Sequence, residues 1–157
     1  MRSLALGAML CSALLIGCSK GSQSSPRGIP QPASANDPSA MEPLKGTWQV
    51  ISIVAGGTPV PVERVQKLQL QYVFNGNSMT VRRPDRPDDT KTISVDGRSQ
   101  PKRLTSTSNP PIRAIYAIEG NQLRLCIMVD ENLNAGYPTE FASKASPTTD
   151  LVILERR

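Results

Sequence analysis

The stretch from Ile112 to Val129, IRAIYAIEGNQLRLCIMV, constrains the fold most, because two apolar, β-prone runs meet there at Glu119-Gly120-Asn121. A tight turn carrying glycine between two such runs marks an antiparallel hairpin, since glycine takes the positive φ that the turn needs. Short runs rich in Val, Ile, Thr, Leu and Tyr recur between Gly, Pro, Asn and Asp clusters along the chain. They cover Thr47 to Val54, Leu68 to Asn75, Ser78 to Arg83, Lys91 to Val95, Lys102 to Thr107, Arg113 to Glu119, Gln122 to Val129 and Asp150 to Arg156. Eight short strands at this spacing predict an all-β antiparallel sandwich or barrel.

The longer runs alternate with the period of two that a half-buried strand demands. Leu68, Leu70, Tyr72 and Phe74 share one face with Gln69 and Gln71 opposite, and Leu123, Leu125 and Ile127 share a face against Arg124, Cys126 and Met128. Asn75-Gly76-Asn77 predicts a second hairpin. Only Pro61 to Lys67, PVERVQK, reads as a helix: a proline near its first turn, Val62 and Val65 on one side, and Glu63 and Lys67 spaced to pair. Arg82 to Asp89, RRPDRPDD, mixes both charges around two prolines and reads as a solvated loop between strands.

The front of the chain follows other rules. Arg2 precedes an uncharged apolar run from Leu4 to Ile16 that ends at Gly17-Cys18. That run is too short to span a bilayer, which takes about 20 apolar residues, and it has the layout of a secretory signal. Leu15-Ile16-Gly17-Cys18 resembles the lipobox of bacterial lipoproteins. The resemblance implies removal of residues 1–17, acylation of Cys18 and a membrane anchor; Ser19 in the next position implies the outer membrane over the inner one. Residues 18–43 are dominated by Ser, Pro, Gly, Gln, Ala and Asn and bury too little apolar surface to offset ordering entropy. A tether of that length holds the folded domain, residues 44–157, roughly 25 to 30 Å from the lipid.

Composition removes several chemistries. The chain has no histidine, which excludes Ser/His and Cys/His dyads, most catalytic zinc sites and the commonest general base. Of its cysteines, Cys11 leaves with the signal, Cys18 is acylated and Cys126 stands alone in an apolar strand, where a cysteine acts as a small hydrophobe. The basic residues behind the formal charge of +5 are spread along the chain, which argues against nucleic-acid binding. Asp130, Glu131 and Glu140 are the remaining acid/base candidates, and nothing in their surroundings supplies a tuned pair or a nucleophile. No catalytic residue, metal site or cofactor is assigned.

A wider pattern can then be read. Leu44-Lys45-Gly46-Thr47-Trp48 with Val50, Gly56-Gly57, Pro101-Lys102, Ile115-Tyr116, Gly120, Leu123, Leu125-Cys126, Tyr137-Pro138-Thr139-Glu140-Phe141, Ser143-Lys144 and a last Leu-rich strand ending in Arg resembles a family of lipocalin-like domains abundant in planctomycetes. The family more often has arginine where Tyr137 stands. The resemblance implies an eight-stranded lipocalin-like barrel over Leu44 to Arg156 and carries no activity with it. Gly46-Thr47-Trp48 also looks like the Gly-x-Trp that opens lipocalin barrels, which implies that Trp48 plugs one end under an arginine from a late strand, here Arg156.

A barrel of eight strands is either filled by its own side chains or holds one small ligand. Leu68, Leu70, Tyr72, Phe74, Tyr116, Leu123 and Leu125 are large enough to fill it. If a pocket opens, Tyr72, Tyr116 and Arg124 are its polar-tipped candidates, with strand parity able to turn Arg124 outward. The expected function is a lipid-anchored envelope module that binds a small apolar or amphipathic ligand, or a filled barrel that serves a structural role or an envelope protein partner; a carboxylate-dependent hydrolase is the third and weakest alternative. Tyr137 to Lys144, YPTEFASK, is either a binding loop or a segment that tucks back over the barrel.

Overall fold

A computed structural model describes residues 38–106, 110–128 and 136–157. Cys11, Cys18, Asp130 and Glu131 lie outside the described residues, as does the signal segment.

The described residues form ten strands: β1 (Gly46–Ala55), β2 (Thr58–Pro59), β3 (Gln71–Asn75), β4 (Ser78–Arg83), β5 (Arg86–Asp96), β6 (Lys102–Ser106), β7 (Ile112–Glu119), β8 (Gln122–Met128), β9 (Lys144–Ala145) and β10 (Thr148–Arg156). All pairings are antiparallel, and the order β1-β3-β4-β5-β6-β7-β8-β10 closes because β1 also pairs with β10. The result is a closed eight-stranded barrel, with β2 and β9 added as two-residue flaps. Closure removes every long free edge, so the sheet offers no template for aggregation.

The Ile112 to Val129 hairpin is the β7–β8 pair, in register from Arg113↔Met128 to Glu119↔Gln122. Asn75 and Ser78 close the second expected hairpin. Two expectations are corrected. Strand β3 starts at Gln71, because Leu68 ends a helix, α2 (Val62–Leu68), and Gln69 takes a left-handed conformation that stops it. The charged segment Arg82 to Asp89 is no loop. It is a hairpin in which Arg83 faces Arg86 across a Pro84-Asp85 turn, and the ladder slips between Val81 and Arg83. The prolines suit these places: Pro84 sits within the turn, and Pro87 sits at the irregular stretch, where no ladder donor is lost.

Helix α2 stands where the sequence puts it, but Glu63 and Lys67 form no ion pair among the described residues. A solvent-exposed pair of this spacing gains only about 0.3 to 0.5 kcal/mol, too little to hold two long side chains in one geometry. The folded part also starts earlier than expected. A helical turn, α1 (Pro38–Met41), and a 3-10 turn (Glu42–Leu44) lie against the barrel, where the sequence suggested a tether to residue 43. Ala40 and Met41 pack on the core and Leu44 is buried in it. Gly97 makes room for this cap, since a Cβ there would sit 2.5 Å from that of Ala40.

Candidate functional site

Inward-facing side chains build the core of the barrel. Trp48, Val50, Tyr72, Phe74, Met79, Ile93, Val95, Leu104, Tyr116, Leu123, Leu125 and Leu154 belong to one continuous cluster, none more than 8% exposed. The alternation of β3 and β8 dictates this, because each inward residue is aliphatic or aromatic and reaches the axis.

One end is sealed. The Trp48 indole is fully buried and donates from Nε1 to the Leu44 carbonyl at 2.6 Å. The Arg156 guanidinium lies 4.2 Å from the Trp48 ring centroid and donates to the carbonyls of Lys45 and Pro43, each at 2.7 Å. Gly46 permits this approach: its φ is +118°, and a Cβ would stand 3.3 Å from the Arg156 Nη1 atom.

The candidate ligand residues do not converge. Tyr72 on β3 and Tyr116 on β7 stand on opposite walls of the barrel. Tyr72 is buried, and its phenol is pushed up to about 12, first by burial and then by the Asp150 and Asp89 carboxylates, with Arg83 opposing. Tyr116 is buried and its hydroxyl donates to the Ala40 carbonyl at 3.3 Å, so it ties the cap to the wall. Arg124 is turned outward, which corrects its place among interior candidates. It pairs with Glu119 and lies 5.1 Å from the Phe141 ring. Its parity on β8 is opposite to Leu123 and Leu125, so facing the axis would bury a charge among hydrocarbons.

The YPTEFASK segment lies as a strap across the outer face of the barrel. Arg103 and Arg113 stand 4.8 and 5.8 Å from the Tyr137 ring, and the Tyr137 hydroxyl shares a 2.5 Å hydrogen bond with Thr105 Oγ1. Glu140 is taken by Lys144. Thr149 Oγ1 donates to the Ala142 carbonyl at 3.0 Å, and Ser143 Oγ donates to the Thr149 carbonyl at 2.7 Å. Beneath the strap Cys126 is fully buried, its thiol donating to the Ala142 carbonyl at 3.4 Å, and burial pushes that thiol up. A thiol held protonated is a poor nucleophile.

One concavity lies outside the barrel. Strand β1 leaves β3 after the pair Gln49↔Gln71, and its pairing with β10 shifts between Val50 and Ser52. Helix α2 lies beside this parting, anchored by the buried Val65. The cleft left there measures about 400 Å³ and is lined by four glutamines and Arg157 together with aliphatic residues. Alternation put Gln69 and Gln71 opposite the apolar face but gave no sign that α2 would fold beside them, since that depends on tertiary packing of a seven-residue helix. Comparison with protein-family models, with curated proteins and with solved structures finds no match.

Proposed function

We propose that this chain is a lipid-anchored protein of the cell envelope, more consistent with the outer membrane, whose filled barrel presents an interaction surface on its outside. The likeness of Leu15 to Cys18 to a lipobox supports the anchor. In this reading acyl chains on Cys18 supply the attachment. Two or three such chains bind firmly where one is marginal.

The observation that carries the outward-facing role is the filled interior. Tyr72, Phe74, Tyr116, Leu123 and Leu125 are buried together in one core cluster, which supports a filled barrel over one that carries a ligand. The chemistry of this reading is binding, not turnover: Glu140 is tied to Lys144, and the Cys126 thiol is buried. The likeness to lipocalin-like domains agrees, since it implies a scaffold without an attached activity.

Two measurements test it. Cys18→Ala is expected to release the protein into the soluble fraction, and continued membrane association would remove the anchor. Native mass spectrometry of protein extracted from its own envelope is expected to show no apolar small molecule bound one to one. Recovery of such a molecule, lost in Tyr72→Ala, would return the function to the interior.

A further inference from the structure

We infer that the cleft beside α2 is a binding site for glycan chains bearing N-acetyl groups. This deepens the outward-facing reading above and rests on it. Four glutamines, Gln49, Gln66, Gln69 and Gln71, line one concavity of about 400 Å³ together with the aliphatic Ile51. That volume falls in the range of about 300 to 1,000 Å³ typical of small-ligand clefts.

Two of the amides are pre-set. Gln71 Nε2 donates to Gln49 Oε1 at 3.1 Å, and Gln49 Nε2 donates to the Leu70 carbonyl at 3.1 Å. The relay fixes which end of each amide points where and leaves Gln71 Oε1 with no donor among the described residues. Gln69 supplies a separate observation. It is the one non-glycine residue with positive φ among the described residues, at 45°, in a position where glycine or asparagine closes a helix at less cost. Strain of this kind is kept where a side chain is used, and the Gln69 side chain lines the cleft.

The chemistry selects the ligand class. Each carboxamide offers a donor and an acceptor, which match an acetamido group and sugar hydroxyls at once. The acetyl methyl needs an apolar contact, and Ile51, at 38% exposed one of two large hydrophobics left open among the described residues, provides it. The lining has no acidic residue and carries Arg157, so a carboxylate on the glycan is not repelled. A peptide fits less well. Peptides dock on sheets by adding a strand, and here the Val50 N–H is already given to the Leu70 carbonyl at 2.9 Å while Gln49 is paired with Gln71. With no aromatic ring in the lining for a sugar to stack on, the single-site dissociation constant is expected at roughly 0.1 to 1 mM. Many copies held in one membrane convert such affinity into avidity.

The test is a solution NMR titration of the isotope-labelled full chain in detergent. The probes are the N-acetylated glucosamine trimer, the same trimer deacetylated, a muramic-acid glycan that adds a carboxylate, and an extended neutral peptide. Saturable shifts at residues 49–51 and 66–71 with both acetylated glycans are expected, and none with the deacetylated trimer. Tighter binding of the muramic-acid glycan, with the gain lost in Arg157→Gln, assigns the source to a carboxylated wall polymer; equal binding assigns it to a neutral one. Gln71→Ala and Gln69→Gly are expected to weaken binding about fivefold each. Gln69→Gly also relieves the positive φ, so lost binding in a chain at least as stable cannot be blamed on unfolding.

No shift at about 20 mM trimer, well above the expected constant, would overturn the inference. So would equal response to the deacetylated trimer, preference for the peptide, or unchanged binding in both variants. A chain that is released by Cys18→Ala yet silent to every glycan leaves the anchored reading in place. A chain that binds glycan at this cleft but stays in the membrane without Cys18 overturns the anchor alone.

Discussion

Guanidinium groups lie over aromatic rings at the sealed end of the barrel and again on its outer wall, and the two places use the same contact differently. At the sealed end Trp48 is fully buried, and Arg156 donates to backbone carbonyls of the cap. Removing the Trp48 ring leaves a void in the core, whereas the Arg156 donors meet the cap carbonyls at the solvent edge of the plug. On the wall, Arg103 and Arg113 flank Tyr137, and Arg124 lies near Phe141 while paired with Glu119. There the Tyr137 and Phe141 rings are only partly buried, so losing one of them leaves a smaller void. A cation over a ring contributes about 0.5 to 1 kcal/mol when exposed and about 2 kcal/mol or more when desolvated. The same chemistry therefore locks the barrel end and only latches the strap.

The sharpest way to break this contrast is Trp48→Ala. The loss of a fully buried aromatic is expected to cost about 3 to 5 kcal/mol, a large share of the stability of a domain this size. Denaturant midpoints measure it, and Trp48→Phe, which keeps most of the volume, should recover more than half. An Ala cost below about 1 kcal/mol would mean that the end is not sealed by this ring.

Tyr72 extends the comparison to the interior. Tyr72 is buried inside and its phenol is pushed up to about 12; unfolding returns it to the ordinary value near 10. Between those values the folded chain keeps a proton that the unfolded chain gives up. Stability from this group is complete below about pH 10 and is lost as pH rises toward 12. A shift of that size corresponds to about 2 to 3 kcal/mol. Urea titrations from pH 9 to 12 are expected to show a steeper fall for the native chain than for Tyr72→Phe. Parallel curves would place Tyr72 in contact with solvent.

Most of the eight long strands were legible from β-prone runs between strong turn signals, with a period of two in the longer ones, although β3 was begun too early and the first half of β5 was read as loop. The Trp48 and Arg156 pair was named from a resemblance and not from any local pattern, since its partners lie at opposite ends of the domain. The cap from Pro38 to Leu44 was illegible. Its only apolar groups are Ala40, Met41 and Leu44, and its helical turn is held by the barrel end, not by its own propensity. Arg124 followed strand parity, while the cleft depended on Gln69 taking a left-handed φ, which no sequence rule predicts for glutamine. The strap was read as binding loop or cover, and which strands it crosses could not be known before Thr105 and Thr149 were seen to hold it.

Arg156→Lys separates charge from geometry at the sealed end. Lysine keeps the positive charge near Trp48 but loses the fork that reaches the Pro43 and Lys45 carbonyls together. A cost of about 1 to 2 kcal/mol is expected, because the site is only part-buried. Hydrogen exchange should locate it in residues 38–45. Unchanged exchange there would show that Tyr116, through Ala40, holds the cap without help.

The smallest expected effect belongs to the strap, and it is the one that decides whether the wall contact is a latch. Tyr137→Phe removes only the hydroxyl shared with Thr105 and leaves the ring between Arg103 and Arg113. Global stability should fall by about 0.5 to 1 kcal/mol. Cys126 reports the local event, since it is buried where the strap's Ala142 carbonyl accepts its thiol. Alkylation resolved by peptide mass at fixed pH is then expected to run about two to five times faster at Cys126 in the variant, the factor that this free energy gives. Exchange at the Lys144 N–H, which donates to Thr149 Oγ1, should rise by a similar factor while the β7–β8 ladder stays protected. If the thiol and the ladder respond together, the strap opens only when the barrel does, and the wall is as locked as the plug.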